Sequence, residues 1–376
     1  MRVLIDYRPA LRARSGVGEY THQLVKALLA VYPPHAKAHP LDLTLFSSSW
    51  SDRLRLSPDL AGVPAVDRRV PVRVLNFAWH RLAWPPAETL ARSEFDVTHS
   101  LHPLILPSRN AAHVVTIHDL DFLDHPERTS AEIRRDYPLL ARDHARRADR
   151  ILVPSRFTAT EVQRRFGIDA DKITVCSPGA PDWQPSGTRP RNGYILFFGT
   201  LEPRKNVGGL LDAYARLLTR PSMPDLVLAG RATPDAAPWL DRIARPPLSG
   251  HVRHIGYIEA DHRREVYDGA RLLVQPSFEE GFGIPVLEAM SLGIPVVAAD
   301  RGALPEVLGD AGPLVNPEDP DALAAGIGRL LDDEAYADAC GARGVLRARQ
   351  FRWTASAEHA YEAYERAIEH RRCVLA

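Results

Sequence analysis

Two glutamates, Glu280 and Glu288, bracket a glycine–aromatic–glycine turn in the run PSFEEGFGIPVLEAMSLG, residues 276–293. A carboxylate accepts hydrogen bonds only, so a pair of them suits a ligand rich in hydroxyls. The preceding RLLVQPS (271–277) reads as a strand, and Pro285 stands where a helix begins; a missing N–H costs nothing at that position. Gly293 closes the helix. The turn therefore collects unbonded backbone N–H groups at the positive end of a helix dipole, a place for phosphate or sugar oxygens. Gly281 and Gly283 let the backbone approach a ligand closely. Two polyols joined by a pyrophosphate, as in a nucleotide sugar, match this chemistry. The plainer alternative is a solvated loop glutamate plus a surface glutamate on a helix. Leu287, Ala289 and Met290 beside Glu288 weigh against a wholly solvated face.

Other reactive groups gather at strand ends. In FFGTLEPRKNVGGLLDAY (197–214), Arg204 and Lys205 sit on a loop just ahead of a helix start at Asn206. Two cations there would neutralise a pyrophosphate and the charge that grows on it as it leaves; exposed surface cations are the bland alternative. In RSGVGEYTHQL (14–24), Gly16 and Gly18 form a loop feeding a helix. The pattern is not GxGxxG and no acid follows at the usual spacing, which argues against a dinucleotide cofactor. In VVTIHDLDF (114–122), His118 ends a strand and reads as a site residue. Asp119 and Asp121 resemble a cation-holding pair, but Arg204 and Lys205 already supply positive charge, so no metal is expected.

These residues need a frame to hold them. Apolar runs at 2–6, 43–46, 95–99, 113–118, 150–155 and 172–176 read as strands, as do 193–199, 225–230, 252–256, 271–277, 295–300 and 312–316. Helical patterns at 18–31, 132–148, 206–219, 261–270 and 320–331 alternate with them. That alternation predicts an α/β protein with parallel sheets covered on both faces. The Pro- and Gly-rich stretch 178–193 breaks the series. Two Rossmann-like domains, 1–185 and 190–355, are expected to face each other across a cleft, and a C-terminal helix, 356–376, to pack back on the first.

With 47 Lys+Arg against 47 Asp+Glu the formal net charge is zero. Residues 1–187 hold 25 basic and 21 acidic side chains, an imbalance too small to suggest nucleic acid. Cys176, Cys340 and Cys373 match no metal or redox spacing. No apolar run reaches the roughly 20 residues of a membrane span. The first residues, MRVLID, run straight into a strand pattern, so a cytoplasmic location is expected.

Taken together, these motifs resemble the retaining glycosyltransferases of family 4, which have the two-domain GT-B fold. The likeness spans essentially the whole chain and is most specific at Glu280 and Glu288, with EGFG and EAMSLGIPVVAA around them. GTLEPRKN and TIHDLDF point to bacterial members that often use GDP-mannose and build polysaccharides or glycolipids. The resemblance implies that Phe282, Gly283 and Ile284 offer backbone N–H groups to the donor sugar, that Glu280 binds its hydroxyls and that Glu288 binds the ribose. It places Arg204 and Lys205 on the diphosphate, Gly16 and Gly18 near it, His118 by the reacting sugar, and Tyr257 and Ile258 by the base. One position departs: many relatives carry Arg where this chain has Thr200.

The implied reaction is hexosyl transfer with retention, mannose favoured, from a nucleotide sugar to a glycan or lipid-linked acceptor, with no metal or cofactor. The leaving diphosphate would take the acceptor's proton. The alternatives are a nucleotide-sugar 2-epimerase of similar architecture and a non-catalytic sugar-binding protein. The stretch RVLNFAWHRLAWPPAETL (73–90) mixes Phe77, Trp79 and Trp84 with Arg73, His80 and Arg81. Core packing is its first reading, and contact with a glycan, a lipid carrier or the inner face of a membrane its second. The basic helix 134–150 is expected to present a solvated face.

Overall fold

A computed structural model describes all residues except 12, 13, 15, 127–130, 186–189, 191 and 376, with side chains of 131–136 and 375 also outside the description. The chain divides into two units, Met1–Gly179 with Arg352–Ala376, and Ala180–Phe351. The crossings therefore lie at 179/180 and 351/352. Apart from its first two residues, the Pro- and Gly-rich stretch 178–193 belongs to the second unit.

The first unit is built on a parallel sheet of seven strands in the order β3-β2-β1-β4-β5-β6-β7. These are β1 (Arg2–Asp6), β2 (Asp42–Ser48), β3 (Ala65–Arg68), β4 (Val97–Ser100), β5 (Ala112–Thr116), β6 (Arg150–Val153) and β7 (Ile173–Val175). Alternation decides the packing: Val3 and Ile5 enter one apolar cluster with Leu24, Leu28 and Leu43. Leu4, between them, enters another with Phe46, Leu75 and Trp79. Both faces are thus covered, as a parallel sheet requires. The helix Trp353–Leu375 joins the first cluster through Ala360 and Tyr364. Tyr361 stacks on Tyr32 with centroids 4.0 Å apart. The Tyr364 hydroxyl lies 2.8 Å from Nδ1 of His99, and His370 meets Asp149 at 2.8 Å.

The second unit repeats the plan with six parallel strands ordered β10-β9-β8-β11-β12-β13: β8 (Tyr194–Phe198), β9 (Leu226–Ala229), β10 (Val252–Gly256), β11 (Ala270–Gln275), β12 (Val296–Ala299) and β13 (Leu314–Val315). Ile195 and Phe197 pack on one face and Leu196 on the other. In each sheet the chain builds outward from its first strand on one side and then returns to the other side of it. The reversal lies between β1 and β4 in one sheet and between β8 and β11 in the other. Ligands of doubly wound sheets bind beyond the carboxyl ends of the strands at this switch point.

Candidate active site

The loops leaving β8 and β11 flank the second unit's switch point, and they carry Arg204, Lys205 and Glu280. After β8 a single 3-10 turn, Pro203–Lys205, runs into the helix Val207–Leu217. Asn206 makes that junction: it adopts left-handed geometry and its side chain accepts from the Gly209 N–H at 3.2 Å. Its amide group donates to the carbonyls of Pro276, at 3.1 Å, and Pro317, at 2.7 Å. The β8 loop is thereby fastened to the end of β11. The Phe278 N–H adds a bond to the Arg204 carbonyl at 2.9 Å.

Glu280 is 5% exposed. Its Oε1 accepts from Lys205 Nζ at 2.6 Å, Gln275 Nε2 at 2.8 Å and Ser277 Oγ at 2.8 Å. Oε2 meets only the Arg204 guanidinium among the described residues, at 3.5 Å. Burial works to raise the carboxyl's pKa. The Lys205 and Arg204 charges and the bonds from Lys205 and Ser277 override it and hold the group at about 2. Glu280 is therefore an anion at neutral pH, with one oxygen saturated and one available. Arg204 also pairs with Glu202 at 3.0 Å and donates to the Glu279 carbonyl at 3.1 Å.

The turn after Glu280 leads into the helix Ile284–Ser291, capped by Gly283 at φ 103° with Pro285 in its first turn. A Cβ on Gly283 would lie 2.7 Å from the Leu304 side chain, so both dihedral and space call for glycine. Among the described residues, none accepts a bond from the N–H of Phe282, Gly283 or Ile284. Three consecutive donors at a helix N-terminus form a ready anion or hydroxyl site. Phe282 itself is buried, edge-on to Phe351 with centroids 5.5 Å apart.

Glu288 lies inside that helix and is 4% exposed. Arg263 Nη2 reaches its Oε1 at 2.5 Å and the Tyr267 hydroxyl its Oε2 at 2.7 Å. Arg263 and Tyr267 are one turn apart on the helix Arg263–Asp268 and grip the carboxylate together. Phe198, from the end of β8, stacks on Tyr267 with centroids 5.1 Å apart and lies 5.2 Å from the Arg263 guanidinium. Tyr257 and Ile258 follow β10, half-buried, with Ile258 packed on the apolar cluster behind Phe282.

Sequence reasoning did not single out Arg263, Tyr267, Gln275 or Ser277. Gln275 carried a signal: an amide inside an apolar strand needs a partner. Arg263 carried none, because its neighbour Arg264 is an ordinary surface residue paired with Asp268.

His118, Gly16 and Gly18 belong to the first unit. Gly16, at φ 52°, precedes the helix Val17–Val31, and Gly18 is buried in its first turn. His118 follows β5; its Nε2 donates to the Leu101 carbonyl at 3.2 Å and its ring meets Tyr20 edge-on at 5.0 Å. Burial pushes this imidazole down to about 4 against the pull of Asp119, so it is neutral at physiological pH. The Asp121 N–H reaches Asp119 Oδ1 at 3.4 Å. Among the described residues there is no group of three His, Cys, Asp or Glu side chains able to hold a metal. The aromatic stretch divides: Trp79 is buried and donates to the Pro85 carbonyl at 2.9 Å. Phe77 and Trp84 are 64% and 66% exposed. In the basic helix, Arg142, Arg146 and Arg147 are exposed and His144 turns inward.

Comparison with known proteins places this geometry. Residues 14–182 match the family model for Glycosyltransferase Family 4, and residues 192–333 that for Glycosyl transferases group 1. The chain is 32% identical to the O-antigen chain mannosyltransferase B of Escherichia coli over 97% of its own length and 100% of the relative's. Among solved structures it resembles sucrose-phosphate synthase of Thermosynechococcus elongatus, with TM-score 0.77, 21% identity and coverage of 97% and 98%. It also resembles Anabaena Alr3699/HepE, solved with UDP and glucose, with TM-score 0.72, 19% identity and coverage of 96% and 98%. These likenesses show the fold, GT-B. Two Rossmann-like units and an E-x7-E turn at the second unit's switch point accompany a full-length relative above 30% identity: the chain belongs to the family 4 glycosyltransferases.

Proposed function

We propose that this chain transfers a mannosyl residue from GDP-mannose to a glycan or lipid-linked glycan, with retention at the anomeric carbon. The observation that carries the reading is the pairing of three unpartnered N–H groups, at Phe282, Gly283 and Ile284, with an adjacent ionised Glu280. The N–H groups serve oxygens that carry or share negative charge, and Glu280 Oε2 serves hydroxyls. Lys205 has three ammonium donors, of which one is spent on Glu280; the others, with Arg204, are assigned to the diphosphate. Glu288 is assigned to the ribose, and Tyr257 and Ile258 to the base. Gly16 and Gly18 are assigned to the approach of the first unit's backbone, and His118 to the reacting sugar. Mannose is supported by the name of the full-length relative.

Glu280 is a poor covalent nucleophile, because a carboxylate ion-paired to lysine and held at about 2 has little basicity to offer. Direct displacement on the donor's own face suits the site better. The bond from the anomeric carbon to the diphosphate breaks as the acceptor oxygen bonds to that carbon, and the departing diphosphate oxygen takes the acceptor's proton. Lys205 and Arg204 supply the countercharge, so the reaction needs no metal ion.

No described helix is long and apolar enough to cross a membrane. Val74, Phe77, Leu82 and Trp84 are all more than half exposed, and Arg69 and Arg73 are exposed near them. We assign this surface to peripheral contact with an anionic membrane face, tested by flotation with and without anionic lipid.

The donor assignment is tested by thermal shift with GDP, UDP and ADP and their sugars. GDP-mannose is expected to raise the melting temperature most. A UDP- or ADP-sugar ranking first would replace the donor, and no shift with any would defeat the nucleotide-sugar reading. Proton NMR of the product's anomeric centre tests retention.

A further inference from the structure

The first unit has a polar site of its own at the switch point between β1 and β4. Asp6 ends β1, and Arg8 follows it. The Arg8 guanidinium grips Asp6 through Nε at 2.8 Å and Nη2 at 2.6 Å, and Nη1 donates to Asn76 Oδ1 at 3.0 Å. His102, just past β4, donates from Nε2 to Asp6 at 3.0 Å and accepts the Leu104 N–H at Nδ1, at 3.2 Å. His144 accepts the Ile105 N–H at Nδ1, at 2.8 Å, which leaves its proton on Nε2. Between these rings lies His80, with centroids 6.5 Å from His102 and 5.9 Å from His144. Its Nε2 is buried and has no partner among the described residues. Nothing in the donor site accounts for this cluster.

A buried, unbonded imidazole nitrogen is costly and calls for an occupant. Three classes are separable by charge and geometry. A metal ion needs several bare ring nitrogens, but His102 has spent both of its own and His144 one. A phosphate needs net positive charge, yet Arg8 is cancelled by Asp6. His102 is taken up by Asp6 and the Leu104 N–H, and His144, which accepts the Ile105 N–H, is pushed by burial down to about 4 and is neutral. Burial pushes His80 down to about 3, so it is neutral as well. What remains is a neutral set of donors and acceptors: the His80 nitrogens, the His144 N–H and the Asn76 amide. Such a set matches hydroxyls, which give and take at once.

We propose that Arg8, Asn76, His80, His102 and His144 form a saccharide subsite in the first unit, and that it receives the non-reducing end of the acceptor. Only the word acceptor rests on the transferase reading; the binding of a neutral sugar does not.

The test is saturation-transfer NMR and titration calorimetry on the full chain. The probes are methyl α-mannoside and α-linked mannobiose, their glucose and galactose counterparts, and inorganic phosphate. At least one saccharide is expected to bind. His80→Phe keeps the ring volume and removes the unpaired nitrogen. It is expected to melt at the same or a higher temperature while binding the sugar at least tenfold more weakly, a combination a purely structural histidine would not produce. If His80→Phe fails to fold, Asn76→Ala, at a half-buried position, is expected to weaken the sugar at least fivefold. Wild-type protein that binds no saccharide would overturn the proposal. So would phosphate displacing the sugar, or a folded variant that binds within twofold of wild type, in which case a water alone fills the site. GDP-mannose thermal shifts in the same samples separate the two readings: their absence defeats the donor assignment and leaves the saccharide result standing.

Discussion

Lys205 Nζ and Glu280 Oε1 are 2.6 Å apart although 75 residues separate them in sequence. Both side chains are largely buried, so each charge depends on the other. Removing one member of such a pair costs roughly 3–5 kcal/mol, whereas replacing both by neutral groups of similar shape can cost little. Lys205→Met is therefore expected to lower the melting temperature markedly, and Lys205→Met with Glu280→Gln to restore most of it. Turnover is expected to fall about a hundredfold or more in each single variant and to stay low in the double one, because stability and charge placement part company there. Denaturant titration and initial rates on the four proteins check this; a double variant with recovered activity would contradict the site.

Charge also sets how the protein responds to acid. Glu280 sits at about 2 against an ordinary 4.5. A depressed carboxyl stabilises the fold above its unfolded pKa, and that contribution is lost as pH falls from 4.5 toward 2. Six histidines of the first unit are also depressed, His22 among them. Burial is the largest cause in each: His80 and His99 lie at about 3, and His113, His118 and His144 at about 4. Below pH 6.5 the unfolded chain takes up protons that these buried rings refuse, so the first unit loses stability from pH 6.5 downward. Calorimetry at pH 8, 6, 5 and 4 is expected to show its transition moving to lower temperature first. A first unit as stable at pH 5 as at pH 8 would refute this.

Much of this was legible in the residues, and the exceptions have physical causes. All twelve apolar runs fall on strands; the inner ones, such as β5, β9 and β12, are buried on both faces, have nothing to alternate with and show as continuous runs. β3, the sequence Ala-Val-Asp-Arg, escaped: it is a short, half-exposed edge strand whose charges discourage further pairing. The turn at Glu280 was legible because Gly283 and Pro285 leave a local signature of a helix start. The partners of Glu288 were not, since Arg263 reaches it only through tertiary packing. The histidine cluster was hidden for the same reason, its members coming from positions 80, 102 and 144.

Arg263 makes a sharper probe of Glu288 than Glu288 itself. Arg263→Met keeps the length of the side chain but removes the guanidinium that pairs with the buried Glu288 carboxylate, while the Tyr267 hydroxyl stays on Oε2. A loss of roughly 3 kcal/mol is expected, together with weaker nucleotide binding if Glu288 must be held in place for the ribose. Titration calorimetry with GDP should give at least a tenfold weaker Kd, while saccharide binding in the first unit stays the same. Unchanged GDP affinity in the folded variant would remove Glu288 from the donor site.

The glutamate turn also has a steric guard at Gly302. At φ 61° its added Cβ would lie 2.6 Å from the Glu280 carbonyl oxygen and 2.7 Å from the Glu280 nitrogen. The Glu280 carbonyl itself accepts from the Ala303 N–H at 2.9 Å. Gly302→Ala must therefore push the turn aside. Gly309 is a fair control: it has φ 58°, but its nearest neighbours are Arg347 side-chain atoms at 3.5 Å and beyond, which can move. Both variants carry the left-handed strain of about 1–3 kcal/mol. Only Gly302→Ala should also displace Oε2 of Glu280 from the place proposed for the sugar, cutting kcat at least tenfold beyond the loss in Gly309→Ala. Rates measured well below both melting temperatures decide the matter, and equal kcat in the two variants would mean that the position of the turn is not what the chemistry depends on.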